Sequence, residues 1–250
     1  MRGYSLLFLF AACQAQVLLA QETIYDETRV LYKKEISGGF MAHGYGWGLQ
    51  FINGTYLNAR ERRLWGIELV GMKHPKEVKS FNPYYEDARG YFFGKLNSLM
   101  LLRPTIGKRV QITDKIRRSG VEVNYFWGVG PSIGMLKPVY LQIGKPGIPY
   151  QVIVTERYDP EVHFVDDIYG RASWFNGLGD MSFSIGAFGR FGFNFEHAAP
   201  TNSIKAIEVG VTVDAFAKEL PIMAEFEGVQ NKQFFLAFYA ALQFGKKLNR

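Results

Sequence analysis

The feature that most constrains the fold is a period-two alternation of apolar residues with polar residues or glycine. Across residues 121–135 every odd position is apolar, whereas the even positions, apart from Phe126, are polar or glycine. Successive side chains of a β-strand point to opposite faces, so this run predicts a strand with one apolar and one polar face. The same pattern predicts strands at residues 181–196, 204–216 and 233–244.

Four further runs alternate over part of their length. They cover residues 32–42, 45–55, 63–72 and 90–103. The first run is included because Gly44 suits a tight turn between it and the next run, and because a closed bacterial barrel needs an even number of strands. We therefore predict an all-β chain of about eight antiparallel strands closed into a membrane barrel.

The connections between these runs alternate in length. If the N-terminus is periplasmic, the connections on that side are residues 56–62, 104–120 and 197–203. Those on the other side are longer, at residues 73–89, 136–180 and 217–232. Tight periplasmic turns and long outer loops are typical of outer-membrane barrels.

Strand length and glycine placement favour a membrane barrel over a soluble sandwich. Sandwich strands are commonly about 5–6 residues long, whereas a strand that crosses a bilayer needs about 9–11. Glycines also fall on the polar face, where the narrow interior of an eight-stranded barrel favours small side chains. They are Gly128, Gly130, Gly134, Gly186, Gly192 and Gly210. In the alternative, a soluble periplasmic β protein, the polar face would lie in water.

In a barrel, the polar face lines the lumen, and buried charges there are costly unless they are paired. We expect a hydrogen-bonded network that fills the interior rather than an open channel. Its predicted members are Gln50, Glu68, Lys95, Asn97, Glu122, Asn124, Arg190, Asn194, Glu208 and Asp214.

Residues 1–21 have the pattern of a secretory signal peptide, with Arg2 before an apolar run at residues 6–12. Residues 22–250 are then one barrel domain. Cys13 is the only cysteine, which excludes an internal disulfide and a thiolate zinc cluster. Its context resembles a lipoprotein box, and its lipidation stays open.

The net charge of +6 is not gathered into a basic block, so we expect no nucleic-acid partner.

Two histidine-containing segments are candidates for chemistry. His43 would lie at the outer rim, where a histidine could serve a lipid-modifying enzyme, but the chain has no Gly-x-Ser-x-Gly motif. Glu161, His163, Asp166 and Asp167 could hold a divalent cation, but they match no known calcium-loop spacing, and we favour a solvated acidic loop. We predict no catalytic residue, metal or cofactor. The basic segment at residues 73–79 could contact glycolipid phosphates, or could simply be a charged surface.

Four segments carry a resemblance to a known group: residues 38–48 (GGFMAHGYGWG), 73–77 (KHPKE), 91–97 (YFFGKLN) and 136–140 (LKPVY). With them the chain resembles small, largely uncharacterised outer-membrane β-barrel proteins typical of Bacteroidota. The resemblance implies location and barrel form, and it carries no catalytic residue.

We therefore expect a bacterial outer-membrane protein with a structural or interaction role carried by its extracellular loops. The expected partners are outer-membrane lipid and, as a second class, other envelope proteins. The alternatives are a lipid-modifying outer-membrane enzyme and a soluble periplasmic β protein.

Overall fold

The computed structural model describes residues 32–113, 120–145, 148–197, 202–226 and 228–249. The signal segment and Cys13 lie outside these residues. Within the described part of the chain, no helix is long and apolar enough to span a membrane.

The described residues of the unit Tyr32–Arg250 are all-β and contain thirteen strands. In chain order they are β1 (Lys34–His43), β2 (Gly46–Tyr56), β3 (Glu61–Met72), β4 (Lys79–Ser80), β5 (Tyr91–Phe92), β6 (Asn97–Thr113), β7 (Val121–Pro138), β8 (Tyr140–Lys145), β9 (Val152–Arg157), β10 (Ile168–Arg171), β11 (Ser182–His197), β12 (Ser203–Leu220) and β13 (Lys232–Leu248).

Eight of these strands form a closed antiparallel barrel in the order β1-β13-β12-β11-β7-β6-β3-β2. Pairing of β1 with β13, from Lys34 opposite Leu248 to His43 opposite Tyr239, closes the sheet. The predicted all-β eight-stranded barrel is therefore confirmed. The other five strands lie in loops, as a three-stranded sheet β10-β8-β9 and the pair β4-β5.

The alternation in the sequence sets which side chains point outward. In β3, Trp65, Ile67 and Leu69 are exposed, whereas Glu68 and Val70, at the alternate positions, are buried. The same phase holds around the barrel. Large apolar side chains exposed on its outer face include Phe40, Trp47, Leu49, Phe51, Ile106, Trp127, Val129, Phe191, Phe193, Phe195, Ile207, Val213, Phe234, Phe238, Leu242 and Phe244. The exterior is therefore apolar and aromatic.

One predicted connection, residues 104–120, is wrong because β6 continues to Thr113. Pro104 has no N–H to donate to a neighbouring strand, and proline is uncommon inside strands. In the structure Pro104 lies opposite Ile67 of β3, and the ladder to β7 resumes where Ile106 faces Val129. Arg103 and Arg109 lie inside the barrel, so charge does not end this strand.

The barrel has two unlike ends. The end at Lys34 and Leu248, which we call the turn end, carries the short connections at residues 57–60, 114–120 and 198–202. The opposite end, the loop end, carries a two-residue turn at residues 44–45 and the longer connections at 73–96, 139–181 and 221–231. The predicted alternation of short and long connections is confirmed.

Glycines on the inner face make room for large side chains, as the sequence predicted. A Cβ atom at Gly192 would lie 3.0 Å from Cζ of Phe126, and one at Gly210 would lie 3.0 Å from Cε1 of Tyr239. An outward glycine of the same strand as Gly192, Gly189, has no such neighbour within 4 Å among the described atoms. Interior glycines and interior aromatics therefore form complementary pairs.

Replacing Gly192 by leucine should destabilise the barrel by about 1–3 kcal/mol or more, because the new side chain overlaps Phe126 and the facing backbone. Gly189→Leu on the outer face is the matched control and should change stability much less. Urea unfolding of the refolded barrel in detergent micelles measures both. Equal unfolding midpoints for the two variants would contradict the assignment of inner and outer faces.

Candidate functional sites

An ion-pair network fills the turn-end half of the barrel interior. Arg62 of β3 donates to Glu35 of β1 at 3.1 Å and also to Glu122 of β7. Arg109 of β6 donates to the other oxygen of Glu35 at 3.0 Å. Glu196 of β11 lies 3.5 Å from Arg62 and 2.6 Å from Nζ of Lys247. Side chains from six barrel strands thus pair in one buried cluster.

A second group of ion pairs lies closer to the loop end. Arg190 of β11 donates to Glu68 at 2.7 Å, and Arg103 of β6 donates through two nitrogens to Asp214 of β12. Glu208 lies 3.5 Å from Arg190. The guanidinium groups also cover aromatic rings, with Arg103 4.6 Å from the centroid of Phe188. Such contacts favour a desolvated arginine.

The two groups are joined through Gln243 and Glu208. Gln243 donates to Glu208 at 2.7 Å and accepts from Asn194 at 2.9 Å, and Arg109 lies 3.6 Å from Glu208. Together the groups contain six carboxylates and five cations: Glu35, Glu68, Glu122, Glu196, Glu208 and Asp214 with Arg62, Arg103, Arg109, Arg190 and Lys247. The charges are nearly balanced, and each cation contacts at least one carboxylate.

Most side chains of the predicted lumen network are buried inside the barrel. They are Gln50, Glu68, Glu122, Asn124, Arg190, Asn194, Glu208 and Asp214. Asn97 is buried at the loop end, where it donates to the carbonyl oxygen of Pro221 at 2.7 Å. The placement of Lys95 in the lumen is wrong, because it precedes β6 and pairs with Glu77 of a loop at 2.6 Å.

The sequence analysis missed Glu35, Arg62, Arg109, Glu196 and Lys247. All five lie near the turn end, at the alternate positions of their strands that face inward. Glu35 lies two residues from the inward Ser37, and Lys247 lies four residues from the inward Gln243. The predicted strands were too short to include Arg62, Arg109 or Lys247. Extending each run until its alternation failed would have found these three residues, whereas Glu35 and Glu196 already lay at inward positions of the predicted runs.

The loop-end half of the interior is apolar. Its cluster includes Met41, Val70, Leu99, Leu101, Leu136, Phe216 and Phe235, and the connection between β12 and β13 adds Ile222 and Met223. The side-chain oxygen of Asn231 accepts from the backbone N–H groups of Ile222 and Met223 at 3.0 and 3.1 Å. Asn231 therefore fastens residues 221–224, which we call the plug segment, onto the barrel interior.

The catalytic candidate His43 lies at the loop end of β1. Its Nδ1 accepts from the backbone N–H of Tyr45 at 3.2 Å, and its Nε2 is buried without a hydrogen-bond partner among the described residues. No serine of the described chain donates to it, so the nucleophile–base contact that a hydrolase needs is not present in this part of the structure.

The metal candidates are separated by their own contacts. His163 bonds to Glu156 at 3.2 Å, Asp166 accepts from Tyr84, and Asp167 accepts from the backbone of Phe164. The backbone N–H of Glu161 donates to Asp159. Among the described residues, no three acidic, histidine or cysteine side chains are placed to hold a metal ion.

The long loops fold into a body with its own core, which we call the loop body (residues 73–96 and 139–181). Its buried cluster contains Tyr91, Leu141, Ile143, Tyr158 and Ile168. Its strands β8 and β9 pair in register from Tyr140 opposite Arg157 to Lys145 opposite Val152. The loop body is therefore a packed structure rather than a set of open connections.

Polar contacts hold the surface of the loop body. Asn82 donates to the carbonyl oxygen of Ile168 at 2.9 Å and to the hydroxyl of Tyr150 at 3.0 Å. The ring of Tyr150 stacks on Tyr85 with centroids 5.0 Å apart. Hydrogen bonds from Lys145, and then from His163, lower the pKa of the exposed Glu156 carboxyl below its usual value. The contacts of Asn82 and Tyr85 join the connection at residues 73–96 to the connection at residues 139–181.

The basic segment at residues 73–79 is partly structural. His74 is buried, and its Nε2 lies 3.2 Å from the carbonyl oxygen of Gln230. Glu77 accepts from the backbone N–H of His74 at 3.0 Å and pairs with Lys95. These residues join the loop body to the β12–β13 connection, whereas Lys73, Lys76 and Lys79 stay exposed.

No protein-family model matches the chain, and no curated protein matches it. Among solved structures, the chain is similar to the crystal structure of Neisserial surface protein A (NspA), with 9% sequence identity and a TM-score of 0.39. The match covers 86% of this chain and 96% of that chain. The resemblance to barrel proteins of Bacteroidota stays a prediction. The described geometry defines the class: a closed eight-stranded barrel, apolar outside and charged inside, which is the polarity of transmembrane β-barrels.

Replacing Arg62 by methionine should destabilise the barrel by about 3–5 kcal/mol, because Glu35, Glu122 and Glu196 would lose a buried partner. Lys108→Met is the matched control. Lys108 pairs with Glu61 on the surface, where both side chains are 33% exposed, so its loss should cost less than about 1 kcal/mol. Urea unfolding in micelles compares the two. A stability loss for Arg62→Met no larger than that for Lys108→Met would refute a paired buried network.

Replacing Asn231 by alanine should cost about 1–3 kcal/mol, because the buried N–H of Met223 loses its acceptor, whereas that of Ile222 keeps the carbonyl oxygen of Leu220 at 2.8 Å. Asn58→Ala is the matched control, since Asn58 also accepts two backbone N–H bonds but is exposed, and water can replace it. Hydrogen exchange should speed up across the plug segment in Asn231→Ala only. Unchanged exchange there would show that Asn231 does not fasten the segment.

Proposed function

We propose that this chain is a bacterial outer-membrane protein whose barrel serves as an anchor and whose loop body binds other components of the cell envelope. The role is structural or interactive and involves no catalysis. The observation that carries the proposal is the division of the molecule into a barrel with a filled interior and a separately packed loop body.

The exterior of the barrel supports a place in a membrane. Phe238 is 76% exposed and Ile185 is 72% exposed, in a surface made largely of such side chains. Exposed apolar patches of more than a few hundred Å² are rare on soluble monomers and mark interaction or membrane surfaces. A soluble sandwich would instead place Glu68 and Glu208 in water, whereas both are buried in ion pairs.

The filled interior argues against transport. The turn-end half holds paired charges, and the loop-end half holds an apolar cluster under the plug segment. An eight-stranded barrel has room for little more than its own side chains. We therefore place the function of the chain on its outer surfaces rather than in the lumen.

The loop body supports an interaction role because it presents apolar side chains around a packed core. Exposed members include Val78, Phe81, Tyr84, Val162, Phe164, Trp174 and Phe175. Loops that merely joined strands would need neither a buried core nor exposed aromatic rings. Aromatic residues are enriched in protein interfaces and at membrane surfaces.

The test is cross-linking in cells followed by purification of the chain and identification of the envelope proteins that come with it. The loop variant Phe164→Ser, Trp174→Ser, Phe175→Ser should lose the proteins that co-purify with the native chain. The barrel should stay folded, as a heat-dependent shift on a detergent gel reports. The control Lys76→Ala, Glu161→Ala, Arg171→Ala changes three exposed polar residues of the same body and should keep the partners.

Retention of every partner by the apolar-loop variant would contradict the interaction role of these side chains. Recovery of the native chain in a detergent-free soluble fraction, without a heat-dependent shift, would contradict the membrane location.

A further inference from the structure

A groove of about 350 Å³ lies on the barrel's outer face at the turn end, where β1 meets β13. Its walls are largely apolar and include Ile36, Gly38, Phe244 and Leu248, and Lys246, Ser37 and Gly245 complete the lining. It lies at the seam that closes the barrel.

The groove exists because a glycine faces an aromatic residue across the seam. Gly38 lies opposite Phe244, and Ile36 lies opposite Lys246. A Cβ atom at Gly38 would have a single neighbour within 4 Å, the carbonyl oxygen of Gln50 at 3.8 Å. A missing side chain between two bulky neighbours leaves an open channel whose size and polarity suit a hydrocarbon chain.

Three lysines surround this groove on adjacent strands. Lys34 of β1 lies opposite Leu248, Lys246 of β13 lies opposite Ser203, and Lys205 of β12 lies opposite Phe244. Lys34 and Lys205 each lie diagonally across from Lys246, because each faces a β13 residue two positions away from it. Long side chains can span this separation. All three are exposed, and none forms an ion pair within the described part of the chain.

Among the described residues, the outer face around these lysines has no acidic side chain. The outward positions of the turn-end halves of β1, β12 and β13 are occupied by Ile36, Gly38, Phe40, Leu242, Phe244, Leu248, Ser203, Ile207 and Val209 besides the lysines. Lys247, the neighbour of Lys246, points inward and pairs with Glu196. Within the described ranges, Lys34, Lys205 and Lys246 therefore have no carboxylate partner, whereas the inward Lys247 pairs with Glu196.

From this geometry we propose a binding site for an anionic glycerophospholipid, with one acyl chain over Gly38 and the phosphate among Lys34, Lys205 and Lys246. The site rests on the membrane location proposed above. An apolar groove bordered by three cations matches a molecule with a hydrocarbon chain and a phosphate. A second copy of the chain fits poorly, because a two-fold contact at this seam would bring the lysine groups together.

The test is native mass spectrometry of the full chain released from micelles with phosphatidylglycerol or with phosphatidylcholine of the same acyl chains. We expect one retained phosphatidylglycerol and about tenfold weaker retention of phosphatidylcholine, the effect of losing net charge on the headgroup. Lys34→Gln, Lys205→Gln, Lys246→Gln should abolish that preference. The control Lys73→Gln, Lys76→Gln, Lys79→Gln removes the same charge at the loop end and should keep it.

A second variant tests the groove apart from the charges. Gly38→Leu fills the channel and should reduce retention of both lipids, while the heat-dependent gel shift verifies that the barrel has formed. Equal retention of the two lipids, or a preference unchanged in the seam triple variant, would overturn the site while leaving the membrane location intact. Failure of the native chain to fractionate with membranes would instead refute the proposed function.

Discussion

The pairing of buried charge inside the barrel is the constraint on which the rest of the structure depends. Arg62 alone contacts carboxylates from three other strands, those of Glu35, Glu122 and Glu196. An unpaired charge in such a place costs several kcal/mol, so each strand is held in the register that brings its charge to a partner. If one strand slipped by one residue, its outward apolar side chains would also turn into the lumen.

Filling the interior with ion pairs has a consequence for function. The lumen cannot serve both as a packed core and as a passage, and the plug segment covers the loop-end half with Ile222 and Met223. Under the proposed function, recognition therefore falls to two surfaces, the loop body and the barrel's outer face. His43, at the rim between barrel and loops, has its Nδ1 engaged by the backbone of Tyr45, which is a structural role.

Alternation made the barrel predictable from sequence, because a membrane-type strand repeats its period for ten or more residues. The lumen positions followed from the same parity, as for Glu68, Arg190 and Asp214. Lys95 was misplaced because the run at residues 90–103 joins a loop strand, Tyr91–Phe92, to the true start of β6 at Asn97. The role of Asn231 could not be predicted, since it depends on where a loop returns over the barrel mouth. The core of the loop body likewise depends on contacts between distant connections, such as Asn82 with Ile168.

The inverted polarity of the barrel is tested most directly by its own tryptophans. Trp65 and Trp127 project outward from the barrel, and Trp174 lies on the loop body. In variants that keep one tryptophan each, reconstituted into bilayers of lipids brominated on the acyl chains, Trp65 and Trp127 fluorescence should be strongly quenched. Iodide in the water should quench Trp174 instead. Iodide quenching of Trp65 and Trp127, with no effect of the brominated lipid, would place the apolar face in water and contradict the account.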